Sequence, residues 1–241
     1  MTLDKILASL FPNGHDVVLD HGLLAGKGIL SNAASIAVVG VDGRTAVGID
    51  EAARLSSHVL GVVKRGGDEP ILVLIDSDSQ RMSKRDELLG LNEFLAHLAK
   101  CLIFADTLGH RTIGLLYGHT AAGAFIATAL ATRVLVALPG AHPAVMDLPS
   151  MSRVTKLSFD MLQEKAKSTP VFAPGLDNLA QTGAVATTLN PDRSLSDQLQ
   201  NVLAQPIAHQ DTRDRLGNAR HGRPKAADIA ERVYGLVHAS I

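Results

Sequence analysis

Residues 71–90, ILVLIDSDSQRMSKRDELLG, and residues 112–127, TIGLLYGHTAAGAFIA, decide the fold of this chain. Each stretch begins with an apolar run typical of a buried strand, continues into a polar or small-residue loop and leads toward a helix. Units of this kind place both loops at the same edge of a sheet. Backbone N–H groups at a helix start lack intrahelical partners and face outward. Two converging sets of such donors are typical of a site that stabilises an oxyanion.

Composition limits the classes of protein to which the chain can belong. At 241 residues, 46% apolar and 20% charged, it can bury a substantial core and is not a disordered chain. Its formal net charge of −1 gives no general attraction to nucleic acid or to a membrane surface. The apolar runs are too short to span a bilayer. The single cysteine and an N-terminus unlike a signal peptide predict a cytoplasmic protein.

The first half of the chain predicts repeated strand–strand–helix units. Ser35–Val41 has the composition of a strand, Asp42–Gly43 indicates a hairpin turn, and Arg44–Ile49 is predicted as the returning strand. Asp50 is the predicted N-cap of the next helix. A periodic row of leucines then predicts the buried face of one long helix: Leu88, Leu91, Leu95, Leu98 and Leu102.

The second half predicts more strands and a helical end. Predicted strands cover 112–117, 133–138 and 142–146, and predicted helices cover 122–132, 157–167, 196–204 and 225–238. No long linker interrupts this order. We therefore predict a single domain, 1–241, with a C-terminal helical region from about 196 to 241.

Five segments resemble the gamma subunit of biotin-independent malonate decarboxylase. They read IDSDSQRMSKRDELLG (75–90), LAHLAKCLIFADTLGHR (95–111), YGHTAAGAFIATALA (117–131), MDLPSMSRVTKLS (146–158) and PVFAPGLDN (170–178). The similarity runs in order from about Phe11 to the C-terminus. That family in turn resembles the alpha half of the acyl-CoA carboxyltransferases. The resemblance therefore implies an α/β fold of the ClpP/crotonase class, a superhelix of repeated ββα units.

The resemblance also implies an activity and its partners. With a beta subunit, as a heterodimer, the chain would act as a carbon–carbon lyase component in malonate catabolism. It would remove CO2 from malonyl thioester held on an acyl carrier protein and leave acetyl thioester. The CoA-like prosthetic group would belong to the carrier protein, and this chain would bind no cofactor and no metal. The enolate left by CO2 needs fixed donors at the thioester oxygen.

The resemblance assigns those donors to two segments. Gly123 and Ala124 open the helix after one strand, and they read Ala122-Gly123-Ala124 where the family pattern would be Ser-Gly-Gly. The facing loop reads Ser-Asp-Ser-Gln where Thr-Gln-Gly-Gln would stand. The implied catalytic residues are Gly123, Ala124, Ser79 and Gln80, and Ser77 and Asp78 are implied to bind substrate.

Charged side chains add candidates, each with an alternative role. Arg81 and Arg153 are predicted to bind a carboxylate or phosphate, or else to form ion pairs. His119 is predicted to bind substrate or exchange a proton, or else to be a structural histidine. Arg220 and Arg223 lie in a basic segment, residues 209–225, which is predicted to meet the phosphates of the CoA-like arm or else to be a solvated loop.

Two other functions stay open from the residues. The chain can be another crotonase-class acyl-CoA enzyme or a biotin-dependent carboxyltransferase subunit. It can also be a non-catalytic partner that completes the fold of a catalytic beta subunit. The changed residues at the two oxyanion segments favour the second of these alternatives.

Overall fold

The computed structural model describes residues 1–170, 173–206 and 211–239. Three short parts of the predicted features lie outside the described residues. They are residues 171–172 within PVFAPGLDN, residues 207–210 at the start of the basic segment, and residues 240–241 at the end of the C-terminal helical region.

The chain divides into two compact units. The first holds Met1–Val145 and Thr187–Pro206, and the second holds Met146–Ala186 and the described residues from 211 onward. The single domain predicted from the sequence stays a prediction. Both units are built from the elements that follow.

Strands and helices alternate along most of the chain. The strands are β1 (Val18–Asp20), β2 (Leu23–Ile29), β3 (Ser35–Val47), β4 (Ile71–Gln80), β5 (Thr112–Leu116), β6 (His119–Ala121), β7 (Val134–Ala137), β8 (His142–Ala144) and β9 (Thr187–Thr188). The helices are α1 (Leu3–Leu10), α2 (Ile49–Arg65), α3 (Lys84–Leu88), α4 (Leu91–Thr107), α5 (Ala122–Ala127), α6 (Leu148–Thr155), α7 (Phe159–Ser168), α8 (Leu176–Gln181), α9 (Leu195–Ala204), α10 (Arg213–Ala219) and α11 (Pro224–His238).

A seven-stranded sheet forms the centre of the first unit. Its order is β1-β2-β3-β4-β5-β7-β9, antiparallel from β1 to β3 and parallel from β3 onward. A second ladder joins β6 to β8 in parallel. The chain thus leaves the large sheet after β5 and again after β7, adds one short strand to the second ladder each time, and then enters a helix. These are the repeated ββα units, and the predicted α/β class is confirmed.

Apolar side chains fill both faces of this sheet. One face carries α1 and α9, whose buried residues Ile6, Leu10, Leu195 and Leu199 join those of the strands. The other face carries α2, α4 and α5 through residues such as Ala52, Leu55, Leu95, Leu98 and Ala124. Strands covered on both faces have continuous apolar sequences, and for this reason β4 and β5 are predictable from the sequence.

The predicted hairpin at Asp42–Gly43 is wrong. β3 continues through it to Val47, and β4 pairs with β3 in parallel on both sides of the interruption. The turn signal is real, because Gly43 (φ 67°) and Arg44 (φ 55°) are both left-handed. It makes a bulge with two extra residues on β3 instead of reversing the chain.

Three helix boundaries also differ from prediction. The N-cap of α2 is Gly48 rather than Asp50, and its N–H donates to Glu51 Oε2 at 2.9 Å. Leu88 ends the short helix α3 and is 76% exposed, so the leucine face of α4 begins at Leu91. The helix predicted over 122–132 ends at Ala127.

Candidate functional site

The predicted site residues of the first unit lie where β5 ends and where the neighbouring strands β3 and β4 pass the bulge. Val41 of β3, Ile75 of β4 and Leu116 of β5 stand side by side in the ladder. The residues that follow them emerge together at one edge of the sheet, and they are Asp42, Asp76 and Tyr117. This edge is where open α/β sheets bind their ligands.

Tyr117 has a polar role that the strand pattern does not predict. Its hydroxyl donates to Asp42 Oδ1 at 2.6 Å, although β4 lies between the strands that carry the two residues. Burial, followed by the hydrogen bond and charge of Asp42 and the charge of Asp76, raises the pKa of the Tyr117 phenol, which keeps its proton. The sequence signal for this pair was that each member directly follows an apolar run.

Hydrogen bonds hold β6 against the end of β4. Ser77 is fully buried, and its Oγ lies 2.8 Å from Thr120 Oγ1. The backbone N–H of His119 donates to Asp76 Oδ1 at 2.9 Å, and His119 Nδ1 lies 3.0 Å from the Ser77 carbonyl oxygen. A carbonyl only accepts, so Nδ1 carries the proton. A Cβ at residue 118 would lie 2.1 Å from Asp76 Oδ1. The Asp76 carboxylate can therefore pack against the backbone there only because residue 118 is glycine.

The predicted oxyanion segment is a strained turn between β6 and α5. Ala121 is extended, whereas Ala122 has a φ of +49°, a left-handed conformation that costs alanine about 1–2 kcal/mol. The N–H of Gly123 donates to Gln80 Oε1 at 2.8 Å. None of the hydrogen bonds between described residues uses the N–H of Ala124, which is fully buried. The turn thus presents two consecutive donors, one of which already holds a carbonyl oxygen.

The segment that faces this turn is the end of β4, so its prediction as a loop is wrong. Residues 77–80 pair with β3 beyond the bulge. Ser79 donates its N–H to Asp78 Oδ1 at 2.9 Å and its hydroxyl to the Gln80 carbonyl at 3.1 Å. Asp78 is half exposed and lies 3.9 Å from the guanidinium of Arg44. The backbone donor of Ser79 is therefore already used.

Arg81 belongs to a cluster of charges behind the end of β4. Its guanidinium forms an ion pair with Glu51 and lies 4.0 Å and 3.9 Å from the carboxylates of Asp50 and Asp86. Asp86 is 1% exposed, and its Oδ2 has no hydrogen-bond partner. The cluster ties β4 to the start of α2. These contacts are those of an ion pair, and the role of Arg81 toward a ligand stays a prediction.

The remaining predicted residues belong to the second unit. Arg153 lies on α6 and donates to Ser150 Oγ at 2.9 Å. Arg220 donates to three backbone carbonyls at 2.7, 2.7 and 2.8 Å, those of Ala180, Val185 and Ala186. Arg223 precedes α11 and is exposed. The side chain of Arg220 thus cross-links backbone segments of its own unit by hydrogen bonds, whereas Arg223 is exposed.

Two other kinds of site are not formed by the described residues. Among residues 1–170, 173–206 and 211–239, no three or more His, Cys, Asp or Glu side chains are grouped so as to hold a metal ion. In the same ranges no helix has both the length and the apolar character needed to cross a membrane.

The structure brings most of the predicted residues of the first unit to one edge of the sheet. They are Ser77, Asp78, Ser79, Gln80, His119, Gly123 and Ala124. Their proposed roles stay predictions. Sequence reasoning missed Asp42, Asp76 and Tyr117 at the same edge.

The large parallel sheet, the short second ladder and the turn into α5 define the class of protein. The fold is that of the crotonase-like acyl-CoA carboxyltransferases, as predicted. Transcarboxylase 12S, solved with hydrolysed methylmalonyl-coenzyme A bound, is similar to 86% of this chain over 42% of its own, with 15% identity and a TM-score of 0.67.

Within that class the chain belongs to the malonate decarboxylase gamma subunit family (MdcE), whose model matches residues 43–237. A Pseudomonas malonate decarboxylase hetero-tetramer, solved in complex with coenzyme A, contains a chain that is 24% identical, with 98% of both chains covered and a TM-score of 0.79. A curated relative is the malonyl-S-ACP:biotin-protein carboxyltransferase MADD of Malonomonas rubra, 29% identical over 148 residues, or 58% of this chain. The chain spans about half, 51%, of that relative's length. The predicted family is confirmed.

Proposed function

We propose that this chain is the gamma subunit of a malonate decarboxylase. With a beta subunit it removes CO2 from malonyl thioester on an acyl carrier protein and leaves acetyl thioester. The observation that carries the proposal is that the N–H of Gly123 donates to the side-chain amide oxygen of Gln80, beside the unused N–H of Ala124. This contact supports a site on this chain whose backbone N–H groups donate to a neutral carbonyl oxygen.

The geometry suits an enolate as well as a carbonyl. Loss of CO2 moves an electron pair onto the thioester, and the negative charge develops on its oxygen. Backbone donors about 2.7–3.1 Å from that oxygen stabilise the charge without reorganising. The Gln80 oxygen lies 2.8 Å from Gly123 N, within this range. We infer that the thioester oxygen replaces the Gln80 oxygen, so the Gln80 side chain turns away when substrate binds.

The family and its similar structures support the proposed partners of the reaction. The Pseudomonas relatives are an MdcD-MdcE hetero-dimer and hetero-tetramers, one with coenzyme A and one with malonate. We propose an equivalent beta subunit and a carrier protein with a CoA-like arm for this chain, in the cytoplasm. Arg223 is exposed and can meet a phosphate of that arm, whereas the guanidinium of Arg220 is held by backbone carbonyls.

The test is CO2 release from malonyl-loaded carrier protein by the chain co-expressed with its beta subunit. Gln80→Ala should lower the KM about fivefold, because substrate no longer competes with a hydrogen bond worth about 1 kcal/mol. Gln163→Ala, at an exposed position of α7, is the control. No CO2 release by the unaltered complex would refute the proposal. If CO2 is released but Gln80→Ala changes neither KM nor kcat, the donors lie on the beta subunit and this chain is a non-catalytic partner.

A second candidate is transfer of the carboxyl group to a biotin protein. The Malonomonas relative, a malonyl-S-ACP:biotin-protein carboxyltransferase, favours it. The two reactions differ in their acceptor, because a decarboxylase releases CO2 without biotin. The same complex, assayed with and without a biotinylated carrier protein and with avidin added, separates them. Turnover that needs the biotin protein and stops with avidin would assign the transfer reaction.

A further inference from the structure

We propose that His119 is the acid that protonates the carbanion after CO2 has left. The inference rests on the proposed function and names the group that completes its chemistry. His119 is half-buried in β6, directly before the turn at Ala122. It is held at two points, its backbone N–H on Asp76 Oδ1 and its Nδ1 on the Ser77 carbonyl.

These contacts leave the ring nitrogen Nε2 of His119 available for proton transfer. The bond to the Ser77 carbonyl keeps the proton on Nδ1 in both charge states of the ring. Nε2 has no hydrogen-bond partner among the described residues. Histidine acts as an acid or base when a contact to one ring nitrogen fixes the tautomer and the other nitrogen is left free.

The reach of His119 matches the position of the carbanion. Three residues of extended chain span at most about 10 Å, which bounds the distance from His119 to Ala122 along β6. Side chains alternate along a strand, so His119 points to the face opposite Thr120, whose hydroxyl is buried against Ser77. The carbanion carbon lies two bonds from the thioester oxygen. With that oxygen on Gly123 N–H, the proposal places the carbanion carbon beside the turn that directly follows β6.

Neighbouring groups at this edge are less suited to the task. The Tyr117 hydroxyl is buried and donates a hydrogen bond to Asp42. Asp76 already accepts the His119 N–H, and Asp78 accepts the Ser79 N–H.

The step balances in atoms and electrons. The bond between Cα and the carboxylate carbon breaks, its electron pair forms the enolate, and CO2 leaves. The enolate Cα then takes the proton from Nε2 of the imidazolium, which becomes neutral imidazole. Water returns a proton to Nε2, so each turnover consumes one proton and releases one CO2.

His119→Asn tests the assignment in the complex with the beta subunit and malonyl-loaded carrier protein. The asparagine Nδ2 stands where Nδ1 stood and can still donate to Ser77, but nothing replaces Nε2. We expect kcat to fall about 10²–10⁴-fold, the usual contribution of a general acid, with the melting temperature unchanged. The long-lived enolate should recapture CO2, so more labelled CO2 should enter malonyl thioester for each acetyl thioester formed. A merely structural role would not raise this exchange.

His142 provides a matched control, because it is the exposed partner of His119 on β8. His142→Asn should leave kcat within about threefold. A His119→Asn complex with near-normal turnover, an unchanged exchange ratio, or an equal loss in His142→Asn would each overturn the proposal. If His119→Asn does not fold, His119→Ala with added imidazole decides, and a folded complex that imidazole does not rescue overturns it. Failure of the unaltered complex to release CO2 would instead refute the proposed function.

Discussion

Removal of the Arg220 guanidinium should loosen the second unit locally. In the structure this side chain donates to the carbonyls of Ala180, Val185 and Ala186 at 2.7–2.8 Å. These contacts join the end of α10 to the last turn of α8 and to the segment that follows it. All three acceptors are backbone oxygens, whereas the basic segment predicts an exposed arginine that binds phosphate.

The expected magnitude follows from the three hydrogen bonds. Hydrogen bonds to a charged group contribute about 1.5–3 kcal/mol each when measured alone. They share one partly exposed guanidinium and are not additive, so we expect Arg220→Ala to lower the local free energy of opening by about 2–4 kcal/mol. That corresponds to roughly 30- to 700-fold faster amide exchange in the segment it holds.

Hydrogen exchange of the Thr182 and Gly183 amides is the assay, because both are hydrogen-bonded within this segment. Arg220→Lys keeps the charge but loses the planar fork of donors, so it should lose most of the protection too. Arg223→Ala is the matched control, and we expect exchange within about threefold of normal there, as for an exposed side chain. Normal protection in Arg220→Ala, with a raised KM for the carrier-bound substrate, would refute this structural role of Arg220 and support phosphate binding.

Three further changes test the rest of the fold. Ala122→Gly should raise the free energy of unfolding by about 0.5–1 kcal/mol, because relief of the left-handed φ exceeds the added freedom of glycine. Ala121→Gly, at an extended residue, should lower it, and equal effects in urea unfolding would contradict the strain. Gly61→Ala lies within α2 with no atom within 4 Å of its new Cβ, so it should add about 0.5–1 kcal/mol, and a lower melting temperature would count against this packing. Tyr117→Phe should lose about 1–2 kcal/mol at neutral pH, with the bond to Asp42. A raised folded pKa gives stability that is present below the ordinary tyrosine pKa of about 10 and is lost above it, so the variant should lose less stability than the unaltered chain as the pH rises beyond 10; parallel curves would contradict this.

Much of the first unit is predictable from the sequence because its signals are local. The apolar runs of β4, β5 and β7 and the leucine face of α4 arise from periodicities that depend on neighbouring residues alone. The antiparallel strands β1 and β2 were not predicted, because glycines and a lysine interrupt the alternation of β2. The helices α1, α6, α8 and α10 were also missed, and each of them has eight residues or fewer.

At the site, too, local signals are predictable from the sequence and long-range contacts are not. The sequence by itself determined the family, the buried strands β4, β5 and β7 and the place of the turn at Gly123, because segment motifs and apolar runs are properties of the chain. Only the tertiary structure decided that Gln80 holds the N–H of Gly123, across 43 residues, and that Tyr117 bonds Asp42, across 75. It also turned the Asp42–Gly43 signal into a bulge, because β4 offered β3 a parallel partner on both sides. A local pattern fixes a conformation, but which donor meets which acceptor depends on strands that lie far apart in the sequence.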